Sequence, residues 1–327
     1  MIVTRLLRIL AVTVLLVDGR QAPATASPVF SPSDWNAALE TVIHADVTQS
    51  VTLPSGDVLW AFGDTTRVNG APTTGPYGYP HDAFVRQTAG TLTFKALPGP
   101  YGYGWQQVPN WSDNTYFWMS TPIVDSGALY VLGERIQGVS PFTVVGSYVA
   151  VFNASTLAFQ RIVPVPTGAT GTTMWGGVAR TGTGWWITGT HGVPCSYATN
   201  CSVGDMAFVP FGGLASATRW GVFDNVIPAT TNIGTGLALR QTSAGWDIFT
   251  KRGDVYGGTE IERLTANSVT GTWTVNGTWP APSPAGTVTY GVAVHPEQAA
   301  NNGQILMSYN VNGNDTEYHP RFLYLSL

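Results

Sequence analysis

Of 327 residues, 10% are charged and 44% are hydrophobic, which provides for a large core and excludes a disordered chain. Gly (38), Pro (22), Trp (12) and Tyr (13) are abundant, the usage of turn-rich β proteins rather than of helical bundles. Fifteen basic residues against 19 acidic ones, a net charge of −4, with no basic cluster, exclude nucleic acid and an anionic membrane surface as partners.

Residues 1–26 have the form of an export signal: Arg5 and Arg8 precede the apolar run from Ile9 to Val17, and the stretch closes in Ala24-Thr25-Ala26, an A-x-A cleavage pattern. The run is too short to span a bilayer, and no later segment reaches 18 apolar residues. A secreted, mildly acidic protein is therefore expected over residues 27–327. Cys195 and Cys201 are the only cysteines, and export would favour a small disulfide between them. A zinc site needs further ligands at regular spacing, and none accompany the pair.

After a brief helix signal from Ser33 to Thr41, one pattern recurs five times: Leu59-Trp-Ala-Phe-Gly-Asp64, Leu129-Tyr-Val-Leu-Gly-Glu134, Trp185-Trp-Ile-Thr-Gly-Thr190, Trp246-Asp-Ile-Phe-Thr-Lys251 and Ile305-Leu-Met-Ser-Tyr-Asn310. A second short strand and a turn precede each window, as in Asp46 to Val51 followed by Pro54-Ser-Gly-Asp57, or Ser120 to Val124 followed by Asp125-Ser-Gly127. These are hairpins. A further strand pair follows in most units, so each reads as a four-stranded antiparallel sheet, and radial repetition of such sheets makes an all-β, five-bladed β-propeller that occupies the chain as one domain. The closing Arg321–Leu327 is expected to supply the strand that completes the ring. Glycines on the inner strands, such as Gly176, Gly177, Gly236 and Gly291, follow from crowding at the axis. The ends of the second strands turn onto one face and would bring Asp64, Glu134, Thr190 with His191, Lys251 with Arg252, and Asn310 into a polar ring.

Asp46 and Asp64 stand out among the few acids. The two lie 18 positions apart, a separation that spans one hairpin, out and back, which returns both carboxylates to the same face. Paired carboxylates flanking a bond are the equipment of glycoside hydrolysis, one as acid and the other as base or nucleophile, and their proximity raises the pKa of one of them. The same residues also suit a strand cap and an Asx turn ahead of Thr65-Thr66.

The combination of Ala45-Asp46, Val51, Leu53-Pro54, Gly56, Trp60 and Phe62-Gly63-Asp64-Thr65, with Trp175-Gly-Gly-Val-Ala179 and Tyr318-His-Pro-Arg-Phe322, resembles the five-bladed propeller glycoside hydrolases around the bacterial endo-D-arabinanases. The resemblance implies endo-acting cleavage of arabinofuranosyl linkages in cell-wall arabinan, with Asp46 and Asp64 as the essential pair. Families of the same architecture that cleave L-arabinan, decorated xylan or fructan use three acids on three blades, which would bring in Glu134; here the third unit offers Thr190-His191 where an acid would be wanted.

Residues assigned to substrate binding are His81, Trp105, Trp111, Glu134, Trp175, His191 and Asn310. His81 suits either a contact to sugar hydroxyls, the orientation of an aspartate or a surface turn. His191 suits a hydrogen bond at the axis or a share in holding a central cation, but one histidine is not a metal site, and neither metal nor cofactor is assigned. The connector from Tyr101 to Trp118 holds seven aromatics in eighteen positions, and sugar rings stack on such faces. Phe117 and Trp118 read as core there, with Trp105 and Trp111 free for a ligand. Trp185, Trp186 and Trp246 read as core or interblade packing. The partner expected of a monomeric enzyme of this kind is a polysaccharide; the competing reading is a propeller lectin or adhesion module that binds the same sugars without chemistry. No G-x-S-x-G elbow, H-E-x-x-H pair or Gly-rich phosphate loop supports other hydrolytic or nucleotide chemistry.

Overall fold

The computed structural model describes residues 29–73, 79–101, 104–138, 142–168, 171, 173–193, 201–252, 258–298, 303–313 and 317–327. The expected export signal lies outside them, and so does the expected Cys195–Cys201 bridge: Cys195 is not among the described residues, and of Cys201 only the backbone is.

Helix α1 (Pro32–Glu40) starts at a capping box: the Ser31 side chain accepts from the Asp34 N–H, and the Asp34 carboxylate accepts from the Ser31 N–H. Pro32 sits at the first helical position, where its missing N–H is not needed. Trp35 and Leu39, four apart, form its buried stripe. The chain continues through β1 (Ile43–Ala45) into β2 (Gln49–Thr52) and β3 (Val58–Phe62). An excursion follows, β4 (Thr65–Val68) and β5 (Ala71–Pro72), which pairs back onto β1. With β6 (Ala83–Gln87) and β7 (Phe94–Leu97), β2 and β3 make the first blade, in the order β2-β3-β6-β7.

Blade two is β8 (Tyr116–Asp125), β9 (Ala128–Gln137), β10 (Thr143–Asn153) and β11 (Phe159–Pro164). Blade three is β12 (Met174–Arg180), β13 (Gly184–Val193), β14 (Cys201–Pro210) and β15 (Gly221–Ile227). Blade four is β16 (Ala238–Thr242), β17 (Gly245–Lys251), β18 (Glu260–Ala266) and β19 (Thr274–Pro280). Blade five has three strands, β20 (Val288–Val294), β21 (Ile305–Asn312) and β22 (His319–Leu325). Every pairing is antiparallel between sequence neighbours within a blade. The expected five-bladed propeller is what forms, and its inner strands β2, β8, β12, β16 and β20 pack side by side around the axis.

Turn chemistry sets the registers. In the β8–β9 hairpin Ser126 (φ 51°) and Gly127 (φ 81°) both adopt left-handed backbone, the geometry that two-residue turns use to match strand twist. Each face of a blade meets a neighbour, so strands in the middle of a blade are buried on both sides. All five residues of β3 are buried: Trp60 and Phe62 face the fifth-to-first seam, while Leu59 and Ala61 face the second blade. The apolar core accordingly divides into five clusters, one per seam. Trp186 and Trp246 meet edge to face across the third-to-fourth seam, with ring centroids 6.4 Å apart, and Trp185 packs on Phe211; these are the packing roles expected of them.

The closing segment differs from expectation. β22 is the third strand of its own blade and pairs with β21, not with the first blade. Side chains join the fifth blade to the first instead. Trp35 of α1 lies 5.7 Å from the Phe322 ring, and the Asn36 side chain accepts the Phe322 N–H at 3.0 Å. Buried His295 stacks 4.7 Å from Trp60, its Nδ1 2.6 Å from the Ser50 hydroxyl and its Nε2 2.9 Å from that of Ser308.

Candidate functional site

A cleft of about 460 Å³ opens at the axis, within the usual range for small-molecule sites. Asp46, Asp64, Glu134 and Asn310 line it together with Tyr116 and Trp118. Asp46 sits at a corner between β1 and β2. The next residue, Val47, is left-handed at φ 51°, an unfavourable state for a β-branched side chain that costs about 1–3 kcal/mol and concentrates at functional sites. The corner is held by the backbone: the Asp46 N–H donates to the Asp64 carbonyl at 3.1 Å, and the Gly63 N–H to the Asp46 carbonyl at 2.9 Å. Out-and-back geometry therefore does bring the two aspartates together, as the spacing predicts.

Their surroundings differ. Asp46 is 3% exposed. Its Oδ1 accepts the Asp64 main-chain N–H at 2.7 Å and its Oδ2 the Tyr290 hydroxyl at 2.8 Å, with the Tyr318 hydroxyl as a further donor. Burial, and then the neighbouring Asp64 charge, outweigh these donors and push Asp46 up to about 8. The Asp64 side chain is more open, 19% exposed, and its Oδ1 lies 2.6 Å from His81 Nδ1. The His81 ring is stacked flat on Tyr116, centroids 3.5 Å apart, which fixes its plane. Burial also raises both phenols, Tyr290 and Tyr318, well above their ordinary value, so they remain hydroxyl donors.

Glu134 projects into the cleft from β9 at 4% exposure. Burial pushes its carboxyl up to about 8, opposed in part by the Trp175 main-chain N–H directed at it. Asn310 is buried in the same cleft and accepts the Thr48 hydroxyl at 3.1 Å. Gly236 (φ 81°), just ahead of β16, lies beside Gly291 (φ 54°) of β20: a Cβ on Gly236 would stand 3.5 Å from the Gly291 Cα.

Several expected contacts are corrected. His81 does not line the cleft; its side chain is 2% exposed behind Asp64, so of its possible roles the orienting one is realised. Its neighbour Asp82 is also buried, and its Oδ1 accepts the Gln107 and Val108 N–H groups, pinning the connector. Trp105 packs half-buried against the cluster of the fifth-to-first seam. Trp111 packs against that of the first-to-second seam, beside Tyr148 and beneath the Arg135 guanidinium at 4.9 Å. Neither lines the cleft. Trp175 borders the cleft, yet its side chain is core and its indole N–H donates to the Pro166 carbonyl at 2.6 Å. His191 is drawn away from the axis by Asp205, 2.7 Å from its Nδ1, a carboxylate that also accepts the Thr173 hydroxyl at 2.7 Å and the Asn225 N–H at 2.8 Å. Lys251 is buried and donates to the Thr289 carbonyl, and Arg252 pairs with Glu260 at 3.0 Å; neither joins the polar ring. Conversely, Trp118, expected as core, lines the cleft together with Phe142. Among the described residues no cluster of three or more His, Cys, Asp or Glu side chains could hold a metal ion.

No family model and no curated protein matches the sequence. Solved structures do match the fold. A Bacteroides ovatus protein aligns with a TM-score of 0.65 at 12% identity, covering 93% of this chain and 92% of that one. An alpha-L-arabinofuranosidase from Lactobacillus brevis aligns at 0.59 and 9% identity over 91% and 94%. An endo-arabinase from Bacteroides thetaiotaomicron aligns at 0.56 and 10% identity over 88% and 96%. At these identities the shared property is the propeller itself.

Proposed function

We propose that this chain is an exported glycoside hydrolase that cleaves arabinofuranosyl linkages within cell-wall arabinan. The observation that carries the reading is the Asp46–Asp64 pair: two adjoining carboxyls at one cleft, one sealed and pushed up to about 8, the other more open and set by a histidine. That asymmetry is the division of labour in glycoside hydrolysis, a proton donor beside an ionised base or nucleophile. Asp46 holds its proton at neutral pH and serves as the acid; Asp64, oriented by His81, serves as base or nucleophile. Solved propellers of similar fold include an alpha-L-arabinofuranosidase and an endo-arabinase, which supports the furanoside assignment.

The test is to incubate the protein with D-arabinan, L-arabinan, xylan and fructan, follow released reducing ends, and repeat with Asp46→Asn and Asp64→Asn. Each replacement is expected to lower kcat by about 10³-fold or more on the cleaved polymer. Activity that survives both replacements, or a wild-type protein that binds arabinan and never releases a reducing end, overturns the assignment; the latter outcome is that of a lectin.

A further inference from the structure

Trp118 and Glu134 are direct partners across the β8–β9 ladder, and both line the cleft. The Trp118 Nε1 and the Glu134 Oε1 are each buried without a hydrogen-bond partner. A buried polar atom left unpaired is costly, and native proteins satisfy nearly all of them. Two such atoms on ladder partners that both line the cleft point to a ligand that completes them. Their directions are fixed. The Glu134 carboxyl is tethered by the Trp175 main-chain N–H. The indole N–H is seated over Gly63: a Cβ there would lie 2.3 Å from Trp118 Nε1 and 2.5 Å from Asp46 Oδ1. The indole thus abuts the acid pair. Phe142 meets the Trp118 ring edge to face at 5.3 Å and is 41% exposed, an open aromatic surface at the rim.

We propose that Trp118, Glu134 and Phe142 form a sugar-binding subsite beside the acid pair, in which the indole N–H and the Glu134 carboxyl grip one ring hydroxyl and Phe142 carries the ring's apolar face. The inference rests on the glycosidase reading for its ligand class. A hydroxyl both donates and accepts, so it fits between a fixed N–H and a carboxyl that, protonated in its burial, can also do both. A ligand that lacks the hydroxyl leaves both groups stranded, and sites built this way discriminate strongly. Because the subsite adjoins the cleavage pair, it holds a sugar residue next to the scissile bond.

The experiment measures binding of linear D- and L-arabino-oligosaccharides by titration calorimetry and tryptophan fluorescence, in an Asp64→Asn parent that preserves the ligand. Trp118→Phe, which keeps the ring and loses the N–H, and Glu134→Ala are each expected to weaken binding by roughly 5- to 100-fold. Glu134→Gln, which keeps a donor and an acceptor, is expected to bind as the parent does, and Phe142→Ala to bind more weakly. Thermal melts check that every variant is folded. The proposal is overturned if Trp118→Phe binds as tightly as the parent, if folded Glu134→Gln loses as much as Glu134→Ala, or if no oligosaccharide binds the parent. The two readings separate cleanly: wild-type hydrolysis with indifference at Trp118 and Glu134 sinks the subsite alone, whereas binding that depends on them without any hydrolysis by the wild type sinks the reaction and leaves the subsite standing.

Discussion

Replacing Asp46 by Asn is expected to abolish turnover and at the same time to stabilise the protein. In the folded chain the Asp46 carboxyl is raised from 3.8 to about 8, so between these values the native state binds a proton that the unfolded state releases. Stability contributed by this group therefore falls as pH rises through that window. At about 1.36 kcal/mol per pH unit, the penalty at pH 7 has an upper bound of about 4 kcal/mol, and at pH 5 of less than about 2. Asn carries no charge in either state. Its Oδ1 still accepts the Asp64 N–H, and the Tyr290 hydroxyl can turn to accept from the amide in place of donating to Oδ2. Differential scanning calorimetry at pH 5, 6, 7 and 8 is expected to show Asp46→Asn melting above the wild type by several °C near neutrality, a gap that widens with pH. A variant that melts below the wild type at pH 7, or a gap that stays constant or narrows as pH rises, would refute the reasoning.

Gly63→Ala places a methyl 2.3 Å from the Trp118 indole nitrogen and 2.5 Å from Asp46 Oδ1; it is expected to lower kcat/KM by about 10²-fold or more through misplacement of the acid pair, read by reducing-end release on a protein whose circular dichroism is unchanged. Trp105→Ala and Trp111→Ala remove seam packing rather than a ligand contact; each is expected to lower stability by about 1–3 kcal/mol in urea titrations while retention on an arabinan gel stays that of the wild type. His295 is buried and held down at about 3, so below the unfolded value of 6.5 the unfolded chain binds a proton that the native chain refuses, and stability drops on acidification with a slope approaching about 1.4 kcal/mol per pH unit. His295→Gln lacks that component: its urea midpoint is expected to fall less steeply between pH 6.5 and 4, and equal slopes for the two proteins would disprove the assignment.

The propeller was legible because its physics is local and repeated. Each hairpin carries its own turn, and a strand buried on both faces, such as Val58–Phe62, announces itself as an unbroken apolar run. Asp46 and Asp64 were legible for the same reason, since both belong to one hairpin. What the sequence concealed is set by long-range packing. Tyr290 and Tyr318 reach Asp46 from a blade more than two hundred positions away; Tyr290 lies in the fifth inner strand and Tyr318 opens the Tyr318-His-Pro-Arg motif, but neither position states what it faces. Trp105 and Trp118 stand in one aromatic run, and only the course of the connector decides that the first is packing and the second a wall of the cleft. His191 lies within β13 as Glu134 lies within β9, yet a carboxylate on the adjacent strand captures it.

The joint between the fifth blade and the first has a consequence for when this protein becomes competent. Asp46 and Asp64 emerge early in synthesis, but the phenols that clasp Asp46 arrive with residues 290 and 318, and among the described residues no shared strand ties the two ends of the ring. A chain that has made four blades owns both acids and none of the clamp around them. On the proposed glycosidase reading, turnover is therefore expected only once these last contacts have formed.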